Sequence, residues 1–376
     1  MHRFDYSEIL GDLPQDIVRM LSEISRIRAM DGIRRKEYSK DYVRMEEVAK
    51  LASVKYSNEI EGIITTDERI REIVLRGGTP LNYSEEEIAG YSDAYDWIHT
   101  GHEDIGFDRK TIIGLHTALR TKESDREAYK ERDNVIIGIR PDGRRYIVYE
   151  PVPASETEDH MEQLCIAYQK LTIQRYEPLL YIPCVIVDYL CIHPFIDGNG
   201  RTSRLLTMLM LYREGIDVCR YISMDEHISM TKQAYYDALG DSSEGWRENR
   251  WTYIPFIRYF LRTLLECYID LDTRFVLVDG KRIGRTETVE GILAKAIVPM
   301  SMAQIRAVIP NVSVYTIQKA VKRLMAEGKV ERLGNTKSAR YRYKGGMRNR
   351  SHSTVDAAEI VFSLATQSTR PILLGI

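Results

Sequence analysis

The chain has 376 residues, of which 44% are hydrophobic and 29% are charged, with a formal net charge of -2. This length exceeds that of one typical domain and predicts two or three units that each bury a core. No run of about 18 uncharged apolar residues is present, which argues against a membrane span, and the first 15 residues lack the apolar stretch of a secretory signal, so we expect a cytoplasmic protein.

Charge is unevenly distributed along the chain. Between Lys281 and Arg350, 16 Lys and Arg residues stand against four Glu, a net charge of +12, so the remainder carries -14. The basic end is therefore predicted to meet a different partner or environment from the rest. The five cysteines form no C-x-x-C pair and mostly lie in apolar segments, which predicts reduced core thiols rather than disulfides or a zinc site.

Helical periodicity dominates the first 120 residues. Apolar spacing predicts helices over residues 14–62, with Gly62 ending the second of them. Residues 84–119 are predicted to form two more helices, the first with Ser84 as its N-cap and an acidic first turn, and the second after a loop at Gly106.

The hydrophobic period changes to two between Asn134 and Tyr149. The segments VIIGI and RYIVY flank a Pro-Asp-Gly turn, which predicts a β-hairpin inside an otherwise helical protein. We expect this hairpin to form a lid or an edge. Helical periodicity resumes over residues 155–175, 178–192, 201–214 and 251–272, and more weakly over residues 228–238.

Beyond about residue 279 the predicted order is helix, helix, helix, strand, turn, strand, which is typical of a winged helix. Gly334 and Asn335 would open the wing, and Ser313 would cap the third helix. An apolar stripe of Val314, Ile317, Val321 and Leu324 leaves a basic face for DNA, formed by Lys319, Lys322 and Arg323 with Tyr315 and Gln318, and the wing would add Arg332, Lys337, Arg340 and Arg342. Winged helices also dock proteins or dimerise, so that interpretation stays open.

Residues 193–204, HPFIDGNGRTSR, gather polar groups between two apolar segments. Gly198 and Gly200 flank Asn199 at the start of a helix, whose first N–H groups lack intrahelical partners and suit a phosphate. Arg201 and Arg204 are three residues apart, so they share a helix face and offer forked donors to further phosphate oxygens. A polyphosphate ligand is favoured over a single phosphate.

Two further side chains of this segment predict transfer chemistry. Asp197 offers a hard carboxylate beside the anion site, as suits Mg²⁺ that is shared with substrate phosphates. His193 precedes the turn, where a neutral imidazole could accept a proton from an attacking hydroxyl. Each residue alone could be a helix stop, a common turn or a solvated charge, and the functional interpretation depends on their combination. Neither a P-loop nor the kinase motifs occur in the sequence.

The dodecapeptide resembles the signature of the Fic family, H-x-F-x-[DE]-G-N-G-R-x-x-R, at every specified position, and the similarity extends over about residues 84–225. The fold that follows is mainly α: a Fic-type helical core with a β-hairpin flap, plus a C-terminal winged helix-turn-helix domain. We expect four regions: an N-terminal helical region with an inhibitory motif (1–80), the catalytic core (81–275), the winged helix (276–345) and a tail (346–376).

The resemblance implies transfer of AMP from MgATP to a Ser, Thr or Tyr hydroxyl of a target protein, with ATP and Mg²⁺ as cofactors. The implied roles are general base for His193, Mg²⁺ ligand for Asp197, loop anchor for Phe195, α-phosphate binding for Asn199 and the backbone of Gly198 and Gly200, β-phosphate binding for Arg201, and γ-phosphate binding for Arg204.

A second motif, SNEIEG at residues 57–62, resembles the family's inhibitory pattern [ST]-x-x-x-E-[GN], with Ser57, Glu61 and Gly62 at the specified positions. A Glu61 carboxylate paired with Arg204 would occupy the fork needed for the γ-phosphate and turn ATP away from its productive pose. Removing Glu61 is therefore expected to raise activity.

The hairpin resembles the family flap, whose exposed edge pairs with an extended target segment. In this chain that edge would be Val135, Ile136, Ile137 and Gly138, although a purely structural hairpin is the alternative. The target protein could be the chain itself, and a homodimer is a family expectation. Two alternative functions stay open: a DNA-binding regulator whose Fic-like unit senses nucleotide, and an enzyme that removes AMP, in which Glu61 would position a water.

Overall fold

The computed structural model describes residues 2–6, 13–37, 39–120, 127–139, 144–276, 289–290, 292–293, 299–308, 314–334 and 339–344. The chain divides into two compact units, the first ending at Leu271 and the second beginning at Asp272. The described residues are mainly helical with two small antiparallel sheets, which confirms the predicted class. Among them, no helix is long and apolar enough to cross a membrane.

Three helices open the first unit: α1 (Gln15–Glu37), α2 (Ser39–Ile60) and α3 (Asp67–Arg76). Gly62 follows α2 with φ of 82°, so the predicted helix end is confirmed at a backbone angle that favours glycine. Helix α3 was missed by the periodicity, although Thr66 caps it and Gly77 ends it in the left-handed region.

The next two helices are α4 (Tyr83–Gly101) and α5 (Arg109–Ala118). Ser84 is not the N-cap of α4, as the sequence predicted, because it lies inside the first turn. Asn82 takes that place, and its side-chain oxygen accepts a hydrogen bond from the Glu85 backbone N–H at 3.0 Å. Asn and Ser are both common N-caps that accept from a free N–H of the first turn. Because Asn82 and Ser84 are two residues apart, the sequence alone did not decide between them.

The predicted hairpin is present as β1 (Ile136–Ile139) and β2 (Arg145–Tyr149), paired antiparallel with Gly138 opposite Tyr146. A Cβ atom on Gly138 would lie 2.5 Å from the Tyr146 ring, so the glycine admits the aromatic side chain across the strand pair. The predicted Pro-Asp-Gly turn lies outside the described residues.

Three helices form the centre of the first unit: α6 (Ala154–Ile173), α7 (Pro178–Ile192) and α8 (Asn199–Arg213). Helix α7 packs against both α6 and α8 and is buried almost all round, which explains its continuous apolar sequence. Helix α8 begins two residues earlier than predicted. Both ends of the dodecapeptide therefore belong to buried helices.

The first unit continues with a short 3₁₀ helix (Val218–Arg220), then α9 (Met224–Met230), α10 (Lys232–Ser243) and α11 (Ile254–Val276). The weak periodicity at residues 228–238 thus corresponds to two helices that meet at Thr231. All five cysteines are free, and four of them are buried, as predicted.

The described part of the second unit contains β3 (Met300–Ser301), α12 (Met302–Val308), α13 (Val314–Ala326), β4 (Val330–Leu333) and β5 (Arg340–Tyr343). The sheet order is β3-β5-β4, with antiparallel pairing throughout. Strand β3 was not predicted, since two residues carry no periodicity. Residues 289–290 and 292–293 are helical, in line with the first predicted helix.

Helix α13 buries Ile317, Val321 and Leu324 in the core of this unit, and Val314 is half-buried. Its exposed face carries Tyr315, Gln318, Lys319, Lys322 and Arg323, so the predicted division of the helix is confirmed. The proposed cap Ser313, the wing residues Asn335 and Lys337, and the tail lie outside the described residues. The order of elements agrees with a winged helix, and that assignment stays a prediction.

Candidate active site

The dodecapeptide forms a tight turn between the end of α7 and the start of α8. His193 ends α7 in the left-handed region, with φ of 52°, and its N–H donates to the Tyr189 carbonyl at 2.9 Å. Gly198 precedes α8 with φ of 81°. These two positive angles reverse the chain within five residues and direct the free N–H groups at the start of α8 toward the side of the turn where His193 lies.

The turn is held from inside by Asn199 and Phe195. The Asn199 Oδ1 atom accepts from the Phe195 N–H at 3.0 Å, and its Nδ2 atom donates to the Phe195 carbonyl at 2.7 Å. Phe195 is buried, and its ring stacks on His116 at a centroid distance of 3.7 Å. His116 Nε2 in turn lies 3.0 Å from the Asp197 carbonyl oxygen.

These contacts change the role predicted for Asn199. Its side chain is committed to the turn and is 2% exposed, so the group it can offer a phosphate is its backbone N–H in the first turn of α8. Phe195 is buried as an anchor, in the manner that the resemblance implied. His116, which stacks on it, was not singled out from the sequence.

A cavity of about 150 Å³ lies beside the turn. Its polar wall is formed by Glu61, His193, Asp197, Gly198, Asn199, Gly200 and Arg204. Its apolar wall comes from α7, α10 and the hairpin, with Leu190, Leu239, Tyr236 and Val148 among the lining side chains. An elongated ligand with one anionic end and one flat apolar end matches this division.

The imidazole of His193 is neutral at physiological pH. Burial lowers the pKa of His193 to about 4, the positive charge of Lys130 acts in the same direction, and Glu61 opposes it. His193 Nδ1 lies 3.3 Å from the Leu190 carbonyl oxygen, which favours Nδ1 as the protonated nitrogen and leaves Nε2 as the acceptor. The ring is thus suited to accept a proton.

Arg204 is surrounded by groups of the segment SNEIEG, residues 57–62. Its Nη2 atom donates to Glu61 Oε1 at 2.8 Å and to the Ser57 carbonyl at 2.8 Å, and its Nε atom donates to Ser57 Oγ at 2.7 Å. Asp225 Oδ1 lies 3.5 Å from the same Nε atom. Gly62 contributes by ending α2 with a positive φ.

Gly200 is the point of closest approach between the motif and α8. A Cβ atom there would lie 2.2 Å from Glu61 Oε1 and 3.3 Å from Arg204 Nη1. Gly200 is inside the first turn of α8. Glycine is needed there because a side chain would collide with Glu61, and not because the backbone has a positive φ. The Glu61 carboxylate therefore covers the helix start that the sequence assigned to phosphate.

Arg201 lies beneath the turn, and its predicted contact with a phosphate stays a prediction. Its side chain is 1% exposed and does not line the cavity. Its Nη2 atom donates to Glu87 Oε1 at 3.0 Å, and its Nη1 atom lies 3.4 Å from Asn58 Oδ1. The buried Glu87 carboxylate on α4 neutralises the guanidinium, whose Nη2 atom also lies 4.0 Å from Asp197 Oδ2 at the edge of the cavity.

The chemistry of the donor set decides whether Mg²⁺ fits here. Asp197 is half-exposed at the cavity, and its Oδ1 atom accepts from the Gly198 N–H at 2.6 Å. Among the described residues no cluster of three His, Cys, Asp or Glu could hold a metal alone. One carboxylate beside a phosphate site fits an ion that keeps several waters and shares phosphate oxygens.

The flap residues lie at the edge of this site. Ile136 lines the cavity, Val135 is 43% exposed, and Ile137 is half-buried. Gly138 is buried against Tyr146. In the described part of the chain, β2 is the only strand paired with β1, so no described strand occupies the other edge of β1.

Sequence reasoning missed several residues that support the site. They are Asn58, Glu87, His116, Lys130, Asn134 and Asp225. Asn58 stands inside the SNEIEG motif and could have been found from that position. The others lie far from the motifs along the chain, and no local pattern identifies them.

Comparison with known proteins finds a similarity to one family in the part of the chain that carries this site. Residues 106–211 match the model of the Fic/DOC family. A protein adenylyltransferase Fic of Nematostella vectensis is 26% identical over 220 residues, which cover 55% of this chain and 45% of that protein. A protein adenylyltransferase Fic of Aedes aegypti is 35% identical over 92 residues, 24% of this chain and 15% of that protein. The chain thus spans less than half the length of these relatives.

The fold is similar to that of a solved bacterial protein. The crystal structure of a Fic family protein from Desulfovibrio desulfuricans G20 superposes with a TM-score of 0.56, covering 90% of this chain and 98% of that one at 18% identity. At this identity the likeness concerns the fold.

Proposed function

We propose that this chain, whose residues 106–211 carry a Fic/DOC domain, transfers AMP from MgATP to a hydroxyl group of a protein. The observation that carries the proposal is the single cavity lined by His193, Asp197 and the start of α8. A base, a carboxylate for Mg²⁺ and an anion site are the parts that nucleotidyl transfer requires. The relatives named adenylyltransferase support the choice of AMP.

The proposed step follows from the order of these groups. The hydroxyl oxygen of the target bonds to the α-phosphorus of ATP, the bond to the bridging oxygen of the β-phosphate breaks, and pyrophosphate leaves with those electrons. Neutral His193 accepts the hydroxyl proton. The N–H groups of Asn199 and Gly200 stabilise the charge on the α-phosphate, since they lack partners within α8.

Mg²⁺ would be held by Asp197 and the substrate phosphates, and it would neutralise charge on the leaving pyrophosphate. Arg204 would bind the γ-phosphate once Glu61 has left it. Arg201 could reach the β-phosphate only after exchanging Glu87 for that ligand, so in this conformation the assigned β-phosphate role has no contact to support it.

Autoinhibition is the proposed reason for the Glu61–Arg204 pair. The carboxylate occupies the guanidinium that the γ-phosphate needs, and it lies against Gly200 at the entrance to the phosphate site. A ligand must therefore break an ion pair whose side chains are only 4% and 18% exposed. Movement of α2 away from α8 would release both Ser57 and Glu61 from Arg204 together.

The target would bind along the open edge of β1. Main-chain pairing with Val135, Ile136, Ile137 and Gly138 would bring an extended segment beside the cavity that contains His193. This mode selects backbone more than sequence, so the chain's own exposed segments are among the candidate targets.

The position of the label distinguishes this reaction from phosphoryl transfer. The Glu61→Gly variant is incubated with a cell lysate and MgATP that is labelled at either the α- or the γ-phosphate. The control is the same lysate with Glu61→Gly that also carries His193→Ala, and we expect label above this control from α-labelled ATP alone. Protein labelling from γ-labelled ATP would indicate a kinase reaction, and labelling from neither would remove the support for transfer.

A second function is proposed for the basic unit, which we interpret as a winged helix that binds DNA. The observation in its favour is the exposed face of α13, where Lys319, Lys322 and Arg323 stand together. Binding through phosphates predicts retention that falls steeply with salt. The test is DNA retention by the full chain and by a variant with all three residues changed to Ala, and equal retention by both would contradict the proposal.

A further inference from the structure

The turn that carries His193 is held from outside by two residues that precede the flap. Lys130 Nζ donates to the Ile192 carbonyl at 3.1 Å, and the Lys130 backbone N–H donates to the Pro194 carbonyl at 2.8 Å. Asn134 Nδ2 donates to the Phe195 carbonyl at 2.8 Å and lies 3.4 Å from the His193 carbonyl oxygen.

Four consecutive carbonyl groups, those of residues 192–195, therefore point at one short segment. Helix α7 ends at Ile192, so these carbonyls have no helical donor and need partners from elsewhere. Lys130 and Asn134 are also bonded to each other, since Lys130 Nζ donates to Asn134 Oδ1 at 2.8 Å. The two side chains thus form a hydrogen-bonded pair that contacts the backbone of His193 and its neighbours.

The same segment connects to both ends of the flap. Residue 134 lies two residues before β1, and the adjacent Asp133 accepts from the Ala154 N–H at 2.7 Å through Oδ1. Ala154 begins α6, shortly after β2 ends at Tyr149. The strand that would hold the target and the turn that holds the base are thus joined through residues 130–134.

We infer that Lys130 is a positioning residue for the transfer reaction, which with Asn134 fixes the backbone of His193 relative to the flap. The inference rests on the proposed function, because a base needs a fixed distance to the hydroxyl that the flap presents. It assigns a role to a lysine that lies outside both motifs.

Charge gives Lys130 a second effect on the base. Its side chain is 6% exposed, and burial lowers the pKa of Lys130 to about 8, so the ammonium is mostly charged at neutral pH. A buried cation near an imidazole disfavours the imidazolium form, which agrees with the direction of the His193 shift. The other charged or titratable groups around this cavity are Glu61 after α2, Cys191 on α7, Asp197 in the turn, Arg204 on α8, Tyr149 on β2, and Tyr235 and Tyr236 on α10. The Asp133 carboxylate acts on Lys130 in the opposite direction to burial.

The test measures the imidazole itself, so it does not depend on any transfer activity. The full chain is labelled with ¹³C at histidine Cε1, and the His193 signal is identified by its loss in His193→Ala. Lys130→Met removes the charge and keeps the aliphatic stem, whereas Lys130→Arg keeps both charge and donors. The signals are followed from pH 8 downward in all three proteins.

In the wild type, about a tenth of His193 would be protonated at pH 5, and in Lys130→Met about half, if the charge contributes about one pKa unit. In Lys130→Arg, His193 should titrate as it does in the wild type. Identical titration of His193 in the wild type and Lys130→Met would overturn the electrostatic part of the inference. Thermal unfolding of each variant shows whether it is folded, and Lys130→Gln, which also removes the charge, replaces Lys130→Met if the latter does not fold.

The positioning part is tested with Asn134→Ala in the Glu61→Gly background. This variant keeps the lysine charge and loses the hydrogen bonds of Asn134 to the turn and to Lys130. We therefore expect a transfer rate at least tenfold lower, while the fall of the rate at low pH keeps the same midpoint. An undiminished rate would overturn the positioning role. If Glu61→Gly itself transfers no AMP, the proposed function fails, while the titration result still decides the electrostatic effect of Lys130.

Discussion

Glu61 Oε1 lies 2.8 Å from Arg204 Nη2, and the same oxygen lies 2.2 Å from the position that a Cβ atom on Gly200 would take. One carboxylate oxygen therefore blocks two parts of the anion site, the guanidinium and the N–H groups at the helix start. Any nucleotide that places phosphates on both must displace it. The proposed inhibitory contact is thus local, and a small set of substitutions can probe it.

The first prediction concerns the close approach at Gly200. Gly200→Ala should destabilise the wild type by about 1–3 kcal/mol, because the added methyl group overpacks against Glu61. In the Glu61→Gly background the clash is gone and the nearest remaining atom is Arg204 Nη1 at 3.3 Å, so the cost should fall. Denaturant unfolding of the four proteins of this double-mutant cycle measures the coupling, and equal costs in both backgrounds would contradict the close contact.

The second prediction concerns Glu87. Its removal leaves the buried Arg201 guanidinium with only the more distant Asp197 carboxylate, 4.0 Å away, so Glu87→Ala should lower the free energy of unfolding by up to about 3–5 kcal/mol. The matched control is Glu23→Ala, which breaks an ion pair with Arg26 whose side chains are 39% and 59% exposed and should change it by less than about 0.5 kcal/mol. Chemical denaturation of both variants makes the comparison. Similar small effects would show that Arg201 finds another partner.

The third prediction concerns Asp188, a buried carboxyl group on α7 that accepts hydrogen bonds from Tyr6, Trp246 and Tyr253. Burial raises the pKa of Asp188 from 3.8 to about 7, against the effect of those donors. The folded state therefore holds the proton more tightly than the unfolded state. The stability from this group is complete below about pH 4 and is lost as the pH rises through about 7.

Asp188→Asn removes this dependence. Relative to the variant, the wild type should lose up to about 4 kcal/mol between pH 4 and pH 7. Thermal or denaturant unfolding of both proteins at several pH values measures the difference, in which titrating groups distant from Asp188 cancel. His2, whose Nε2 atom lies 3.6 Å from Asp188 Oδ1, is replaced by Gln in both proteins so that it does not contribute. A difference that stays constant with pH would mean that Asp188 is ionised throughout.

The fourth prediction concerns the pH dependence of transfer. Because the pKa of His193 is lowered to about 4, the base is already deprotonated at pH 6, and the rate should not fall between pH 7 and pH 6. An unperturbed histidine would lose most of its base form by pH 5.5. Initial rates with the Glu61→Gly variant give the profile, and a midpoint near 6.5 would show that His193 is solvated in the active conformation.

The sequence predicted the local features of this site and missed those that depend on tertiary packing. The turn and the ends of α7 and α2 could be predicted because glycine and apolar periodicity act over a few residues. The closeness of Glu61 to Arg204 was available only through a family pattern, since 143 residues separate them. Periodicity carries no information on such pairs.

Arg201 is a second example of a contact that periodicity does not predict. Its spacing from Arg204 placed both on one helix face, yet α4 brings Glu87 to Arg201 and buries it. Nothing near Glu87 in the sequence distinguishes this carboxylate from its exposed neighbour Glu86. Which of two adjacent acids faces a neighbouring helix is decided by how the helices pack.

The most direct test of the account is incorporation of α-labelled AMP from MgATP into protein by three forms of the full chain. The wild type is compared with Glu61→Gly and with Glu61→Gly that also carries His193→Ala. If the Glu61–Arg204 pair stabilises the inhibited state by about 2–3 kcal/mol, Glu61→Gly should label roughly 30- to 150-fold faster, and the double variant should not label. Labelling by Glu61→Gly no faster than by the wild type would contradict autoinhibition, and labelling by the double variant would contradict His193 as the base.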